Sequence, residues 1–376
     1  MPGTISALCQ RYGISRRIGY KWLDRFEQGG TKALADRSRQ PHCSPLRTAQ
    51  EVEQKVIELR IAHPAWGGRK LRQCLINLGM KRPPSASTIT EILRRNGLLN
   101  QEDPSAGSKP LQRFEREAPN DLWQMDFKGH FPLSDGQRCH PLTITDDHSR
   151  FNLCLSACAN ENARTVREHL RTGFQYYGMP HQILCDNGPA WSCPQQRGAL
   201  SQLEAWLVGL GIDPIHGRPY HPQTQGKEER FHKTLDIEVI KTRTAWKSLP
   251  QCAQAFAEWR IIYNEIRPHE SLDDKVPISC YQNSPRLYRA ELEKLDICEH
   301  YQPGETTRVV NPNGQISYRG RRYYVGTAIR KARVVIRAYS ETHSELSYGW
   351  KSLGLIDLTA PKGSHNWLTK PSKRKK

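Results

Sequence analysis

Apolar residues recur first at helical spacing, then in a pattern that alternates between strand and helix, and finally in short β-branched and aromatic runs. Over residues 4–28, Ile5, Leu8 and Cys9 form a short apolar face and Gly13 supplies a tight turn. Ser15 precedes a second apolar repeat through Tyr20, Trp22, Leu23 and Phe26. A serine hydroxyl accepts from an orphan amide of a first helical turn, so Ser15 marks a helix start. The arrangement predicts a helix-turn-helix with Trp22 and Leu23 facing its core. After a polar, Pro-punctuated stretch at 36–48, helical spacing returns at Val52, Val56, Ile57, Leu59 and Ile61. Gly67-Gly68 breaks this helix, 69–78 forms another, and Pro83-Pro84 breaks that one. Ser85 or Ser87 then caps a third helix through Ile89, Ile92 and Leu93 to Gly97. This reads as a second helix-turn-helix, with Ser87, Thr88 and Thr90 near its groove-facing start. A three-helix spacer fits the pattern nearly as well.

Beyond a polar linker at 101–119 the period changes. Residues 122–128 alternate, with Trp123, Met125 and Phe127 on one face and Asp126 on the other. Residues 140–146 and 151–159 predict two more strands joined by a turn at 147–150. Helix 160–177, strand 182–185, helix 198–210 and strand 211–215 follow. A helix over 222–243 carries Phe231, Leu235 and Val239 on one stripe. Such alternation indicates an α/β layer structure. From Gly304 to Leu358, short β-branched and aromatic runs punctuated by Gly predict a small β-barrel. The expected organisation is multidomain: a helix-turn-helix module (1–35), a linker (36–48), a second helical module (49–100), a linker (101–119), an α/β core with trailing helices (120–285), a linker (286–303), a small β-barrel (304–360) and a basic tail (361–376).

Charge sharpens this division. The net charge is +18, but residues 1–50 hold 9 Lys+Arg against 3 Asp+Glu and residues 301–376 hold 15 against 4. Basic ends around a near-neutral middle suggest terminal modules that bind a polyanion. A recognition helix presents its N-terminal residues to base edges, which nominates Arg16, Arg17, Tyr20 and Lys21. In the C-terminal region Tyr318, Arg319, Arg321, Arg322 and Tyr323 interleave basic and aromatic side chains suited to a phosphate backbone. No stretch approaches the ~20 apolar residues of a bilayer span, and no signal peptide is visible, so a cytoplasmic protein, nucleoid-associated when bound to DNA, is expected. Eleven cysteines without a Cys-x-x-Cys pair read as reduced, with Cys9, Cys74 and Cys185 as small buried hydrophobes. His42-Cys43 and Cys139-His140 lack second halves at ligand spacing, so no structural zinc is expected. No phosphate-binding glycine loop appears, and no nucleotide cofactor or membrane partner is expected.

Three carboxylates carry the chemistry. Asp126 lies in Trp123-Gln124-Met125-Asp126-Phe127-Lys128-Gly129, Asp186 in Cys185-Asp186-Asn187-Gly188, and a glutamate pair in His221-Pro222-Gln223-Thr224-Gln225-Gly226-Lys227-Glu228-Glu229-Arg230. Their order and flanks over residues 120–230 resemble insertion-sequence transposases with a retroviral-integrase core. From the residues alone, Glu228 and Glu229 both stay open. Alignment with the family through Gly226-Lys227 and Arg230-Phe231 makes Glu229 the third catalytic residue.

The resemblance implies a ribonuclease-H-like core in which Asp126, Asp186 and Glu229 are both catalytic residues and metal ligands. It implies two Mg²⁺ ions per site, with Mn²⁺ able to substitute, since oxygen ligands suit Mg²⁺ and paired ions clamp attacking and leaving oxygens. It further implies a homo-oligomer on double-stranded DNA that cleaves element ends and joins their 3′-OH groups to target DNA. Lys233, one turn beyond Glu229, would meet a phosphate of the bound end. Asp146 and Asp147 are the other nearby acids; turn formation and pairing with Arg150 are expected for Asp146. An inert DNA-binding regulator and a purely hydrolytic nuclease are the competing readings.

Overall fold

The computed structural model describes residues 4–36, 47–99, 115–186, 188, 191, 199–217, 226–294, 297, 301–362 and 365–369. The chain divides into two compact units, residues 1–50 and 51–376.

In the first unit, α1 (Ile5–Arg11) and α2 (Arg16–Gly29) are joined through Gly13 at φ 64°, and a 3-10 turn (Gly30–Leu34) follows. Ser15 caps α2, its side chain accepting from the Ile18 amide at 3.4 Å. Cys9 is buried, but no residue of α2 is, and Leu23, expected inside, is exposed. Two short helices supply too little chain to enclose a core. The expected linker lies largely at 37–46, outside the described residues, and His42-Cys43 lies there too.

The second helical module comprises α3 (Gln50–Ala62), α4 (Gly68–Asn77) and α5 (Ala86–Arg95). Ser85, rather than Ser87, is the cap of α5, accepting from the Thr88 amide at 3.1 Å. Val56, Trp66, Leu71, Leu75, Ile89, Ile92 and Leu93 form its core. Gly68 is required there, because a Cβ would fall 2.3 Å from the Ala86 carbonyl oxygen. The Trp66 indole donates to Glu238 Oε1 at 3.2 Å, and Glu238 also accepts from Trp259 and Arg267. One carboxylate thus fastens this module to the helices that follow the sheet.

The central region alternates as expected: β1 (Leu122–Phe127), β2 (Phe131–Pro132), β3 (Arg138–Asp146), β4 (Asn152–Cys158), α6 (Ala163–Tyr177), β5 (Gln182–Cys185), α7 (Gln202–Gly209), β6 (Asp213–His216), α8 (Gly226–Glu238) and α9 (Leu249–Ile261). The strands lie in the order β4-β3-β1-β5-β6, with β2 on the start of β3. β1 is antiparallel to β3 and parallel to β5, which is parallel to β6. Trp123 and Met125 pack with Val166, Leu170 and Phe174 of α6 and Leu203, Trp206 and Leu207 of α7. A second cluster joins Phe231 and Leu235 of α8, and Val239 just after it, to Phe256 and Trp259 of α9, with Cys139 and Leu155 from the sheet. Two clusters with helices around one mixed sheet make an α/β sandwich.

The C-terminal strands are β7 (Thr306–Val309), β8 (Gln315–Tyr318), β9 (Arg321–Tyr324), β10 (Arg333–Ala338), β11 (His343–Tyr348), β12 (Lys351–Asp357) and β13 (His365–Trp367). They form two open sheets, β12-β11-β10-β7 and β13-β9-β8, instead of the expected closed barrel. Among the described residues β7 pairs with β10 and β8 with β9, and a single bridge between Leu355 of β12 and Thr369, just past β13, is the pairing that links the two sides. Their shared core, including Val310, Ile316, Tyr323, Val334, Leu346 and Ile356, continues through Ile297 onto Leu200 and onto Ala205 and Val208 of α7. No described helix is long and apolar enough to cross a membrane.

Candidate active site

Alternation along β1 sends Trp123 and Met125 into one core and turns Gln124 and Asp126 to the other face, Gln124 onto Asp147 and Asp126 toward His232 of α8. Asp126 pairs in register with Thr143 of β3. Its carboxylate is about a quarter exposed, 26% by area, and its pKa is pushed up to about 7, first by burial and then by the charge of Asp186. Asp186 follows β5, the parallel neighbour of β1. The Gly188 amide donates to Asp186 Oδ1 at 2.8 Å, and a Cβ on residue 188 would sit 2.9 Å from that oxygen. Glycine is what lets the backbone approach this carboxylate so closely. The structure therefore brings Asp126 and Asp186 within electrostatic reach.

Behind Asp186 lies a chain that sequence reasoning missed. His216, paired with Cys185 across β5 and β6, places Nδ1 at 2.8 Å from the Asp186 carbonyl oxygen and Nε2 at 2.8 Å from Glu204 Oε1. The Cys185 sulfur and the Glu204 carboxylate favour the protonated ring and push its pKa up to about 10. Protonated, the ring donates from both nitrogens. Glu204 also completes a capping box with Ser201, whose hydroxyl donates to the Trp191 carbonyl at 2.7 Å. Trp191 in turn stacks on Phe127, with ring centres 5.3 Å apart.

The third position divides the glutamate pair. Glu228 is buried at 3% exposure, while Glu229 is exposed on the same first turn of α8. Glu228 meets the hydroxyls of Thr143 and Thr145 on β3, with Thr143 Oγ1 3.1 Å from Oε2. Burial pushes its pKa up to about 8. Thr143 Oγ1 also lies 3.0 Å from the Asp126 carbonyl oxygen and 2.9 Å from His232 Nε2. A hydroxyl has one proton and two lone pairs, so three partners are all satisfied when a neutral Glu228 and the His232 Nε2–H donate to it. Burial, aided by Lys128, lowers the His232 pKa to about 4. His232 Nδ1 stands 3.9 Å from Asp126 Oδ2. Glu229 has no described contact with either aspartate.

Asp146 and Asp147 are spoken for. Asp146 accepts from the Asn120 amide at 2.7 Å and from the Ser149 amide and hydroxyl at 2.8 and 2.6 Å, as expected of a turn. Arg150 pairs with Glu115 at 3.4 Å rather than with Asp146. Lys227 donates to Asp147 Oδ1 at 2.5 Å. Of the nominated DNA contacts, Arg16, Arg17, Tyr20, Lys21, Lys233, Arg319 and Arg322 are exposed. Arg321 is half-buried and donates to the carbonyls of Ala360 and Arg319, so its guanidinium ties backbone together. His140, which lacked companions at ligand spacing, meets His130 and Glu161 in the fold.

Comparison with known proteins matches four stretches of the chain. Integrase core domain families match residues 116–222 and 210–277, a homeodomain-like domain matches 18–93, and the IS481 family transposase C-terminal domain matches 305–363. An insertion element IS476 protein of Xanthomonas euvesicatoria is 26% identical over 60% of this chain, which spans 63% of that relative. The Gag-Pro-Pol polyprotein of mouse mammary tumor virus is 30% identical over 34% of this chain and 7% of its own length. A simian T-cell lymphotropic virus intasome chain superimposes over 82% of this chain and 100% of its own at 16% identity, with a TM-score of 0.38, too low to decide the fold by itself. Taken in their order along the chain, the matched domains resemble the layout of an insertion-sequence transposase with a retroviral-integrase-like core.

Proposed function

We propose that the protein binds the ends of a mobile DNA element, hydrolyses the phosphodiester there, and joins the freed 3′-OH to target DNA. The observation that carries this reading is the pair of Asp126 on β1 and Asp186 just past the neighbouring parallel strand β5, with the charge of Asp186 raising the cost of ionising Asp126. Two crowded carboxylates with all-oxygen donors fit a hard divalent cation, which would relieve their repulsion. In this reading Asp126, Asp186 and Glu229 hold two Mg²⁺ ions, or Mn²⁺ in their place. When bound, the ions supply Lewis acidity at the attacking and leaving oxygens. Glu229 is favoured over Glu228 because both oxygens of Glu228 already face threonine hydroxyls. Glu228 then acts as a neutral strut that seats the start of α8 on β3, and His216 fixes the backbone of Asp186.

The substrate is double-stranded DNA, gripped by the exposed basic residues of α2 and of the C-terminal sheets, with Lys233 on the bound end. Two ends must react together, so a homo-oligomer assembles on them. The test is incubation of a labelled terminal-repeat duplex and a target plasmid with the full chain in Mg²⁺, in Mn²⁺ and with chelator. Metal-dependent 3′-end cleavage followed by joined products is expected. Cleavage without joining would identify a hydrolytic nuclease. Binding with neither reaction would identify an inert regulator.

A further inference from the structure

A second group of ligand-type side chains lies beside Asp126. His130 follows β1, His140 lies on β3, and Glu161 precedes α6. One donor atom from each lies within 4.8 Å of the other two. His140 Nδ1 is 2.8 Å from Glu161 Oε1, and the His130 and His140 rings are centred 5.1 Å apart. We propose that these three side chains bind Zn²⁺ at a site separate from the Asp126–Asp186 pair.

The donor set decides the ion. Two imidazoles and one carboxylate suit Zn²⁺, whereas Mg²⁺ prefers oxygen throughout. Ligand bonds of ~2.0–2.1 Å place tetrahedral donors roughly 3.4 Å apart. The observed separations close to that value by side-chain rotation alone, since His130 and Glu161 are exposed. The backbone of His140 is fixed by its pairing with Cys158 at the end of the β3–β4 ladder. Arg138 contacts His130 Nε2, and an arginine can only donate. That nitrogen therefore carries a lone pair, the form a metal requires, and exposed Arg138 is free to swing aside. Glu161 is close enough for its charge to act on Asp126, so an ion here would sit on the rim of the candidate active site. The site stands on its own geometry and does not depend on how Asp126 and Asp186 are read.

The test uses the full chain carrying Asp126→Asn and Asp186→Asn, titrated with Co²⁺ as a spectroscopic substitute for Zn²⁺. One ion per chain is expected, with visible d–d bands, no thiolate charge-transfer band, displacement by equimolar Zn²⁺ and none by millimolar Mg²⁺. Adding His130→Ala or His140→Ala should each weaken binding by at least ~10–100-fold. Thermal melting without metal should stay unchanged for His130→Ala, whose side chain is exposed, so that variant remains decisive if His140→Ala unfolds. A spectrum dominated by thiolate bands, no binding, or undiminished binding by His130→Ala would overturn the proposal.

Discussion

The two aspartates are held in contrasting ways. Asp126 sits within a strand, beside a largely buried network of Thr143, His232 and Glu228 in which side chains face one another across β3 and α8. Asp186 sits at a strand end, where its carboxylate is met by the Gly188 amide and its backbone by His216. The first is positioned by burial and the second by a charged relay through Glu204. Burial fixes a group at the expense of its charge, whereas a backbone anchor leaves the carboxylate open. The site combines two half-buried carboxylates, Asp126 facing a buried side-chain network and Asp186 anchored through its backbone.

The largest expected effect tests whether both arms are ligands. Asp126→Asn and Asp186→Asn should each lower strand joining by about 10³-fold or more while DNA binding survives, since each removes a charged oxygen with little change of shape. Glu229→Gln should match them, and Glu228→Gln should stay within roughly tenfold of the parent, by the ~1.4 kcal/mol per decade scale. A dead Glu228→Gln beside an active Glu229→Gln would shift the assignment by one residue.

Next in size is the Asp186 relay. His216→Gln and Glu204→Gln should reduce joining by roughly 10–100-fold and raise the Mg²⁺ needed for half-maximal rate, as loss of outer-shell support does. Equal losses at saturating Mg²⁺, with no shift in metal dependence, would mean the relay serves folding only.

The Asp126 arm makes a prediction about pH. The folded pKa of Glu228 is raised to about 8, so the folded state binds more protons than the unfolded state between the ordinary carboxylate range and that value. Wild-type stability from this site is full below that window and falls as pH rises through it. Glu228→Gln cannot ionise and should gain on wild type by up to ~1.4 kcal/mol per pH unit from pH 5 to 8, read by urea melts. A constant gap would show that Glu228 is ionised in the fold.

The smallest effects lie on the surface proposed to face DNA. Arg319→Gln and Arg322→Gln should each reduce the slope of log K against log salt by about 0.9. Arg321→Gln should leave the slope unchanged and instead lower stability, because its guanidinium bonds the carbonyls of Ala360 and Arg319. Equal slopes for all three would remove this surface from the interface.

Much of this was legible in the sequence. The strand and helix alternation, the Ser15 cap and the Phe231–Leu235–Val239 stripe follow from local periodicity. The glutamate pair was more legible than it looked: residue 228 falls in phase with 231, 235 and 239, so helical spacing alone assigns Glu228 to the buried stripe. The His216–Glu204 relay and the meeting of His130, His140 and Glu161 were not legible, because each joins residues from separate elements that only the sheet order brings together. The closed barrel failed for a similar reason. Strand spacing marks β8 and β10 but carries no information on whether the ladder between their sheets is completed. In the first unit, Leu23 had the period of a core residue but too little chain around it to supply a core.

Helix α7 turns Leu203, Trp206 and Leu207 toward the central sheet and Ala205 and Val208 toward the C-terminal sheets. It behaves as a party wall: neither room can be demolished without exposing the other. The consequence reaches chimaera building and natural recombination among chains of this layout. A foreign C-terminal region grafted after residue 303 would meet a wall papered for a different tenant, so exchangeable units should carry the outward residues of α7 with them, and crossovers that split the two should be depleted among working hybrids.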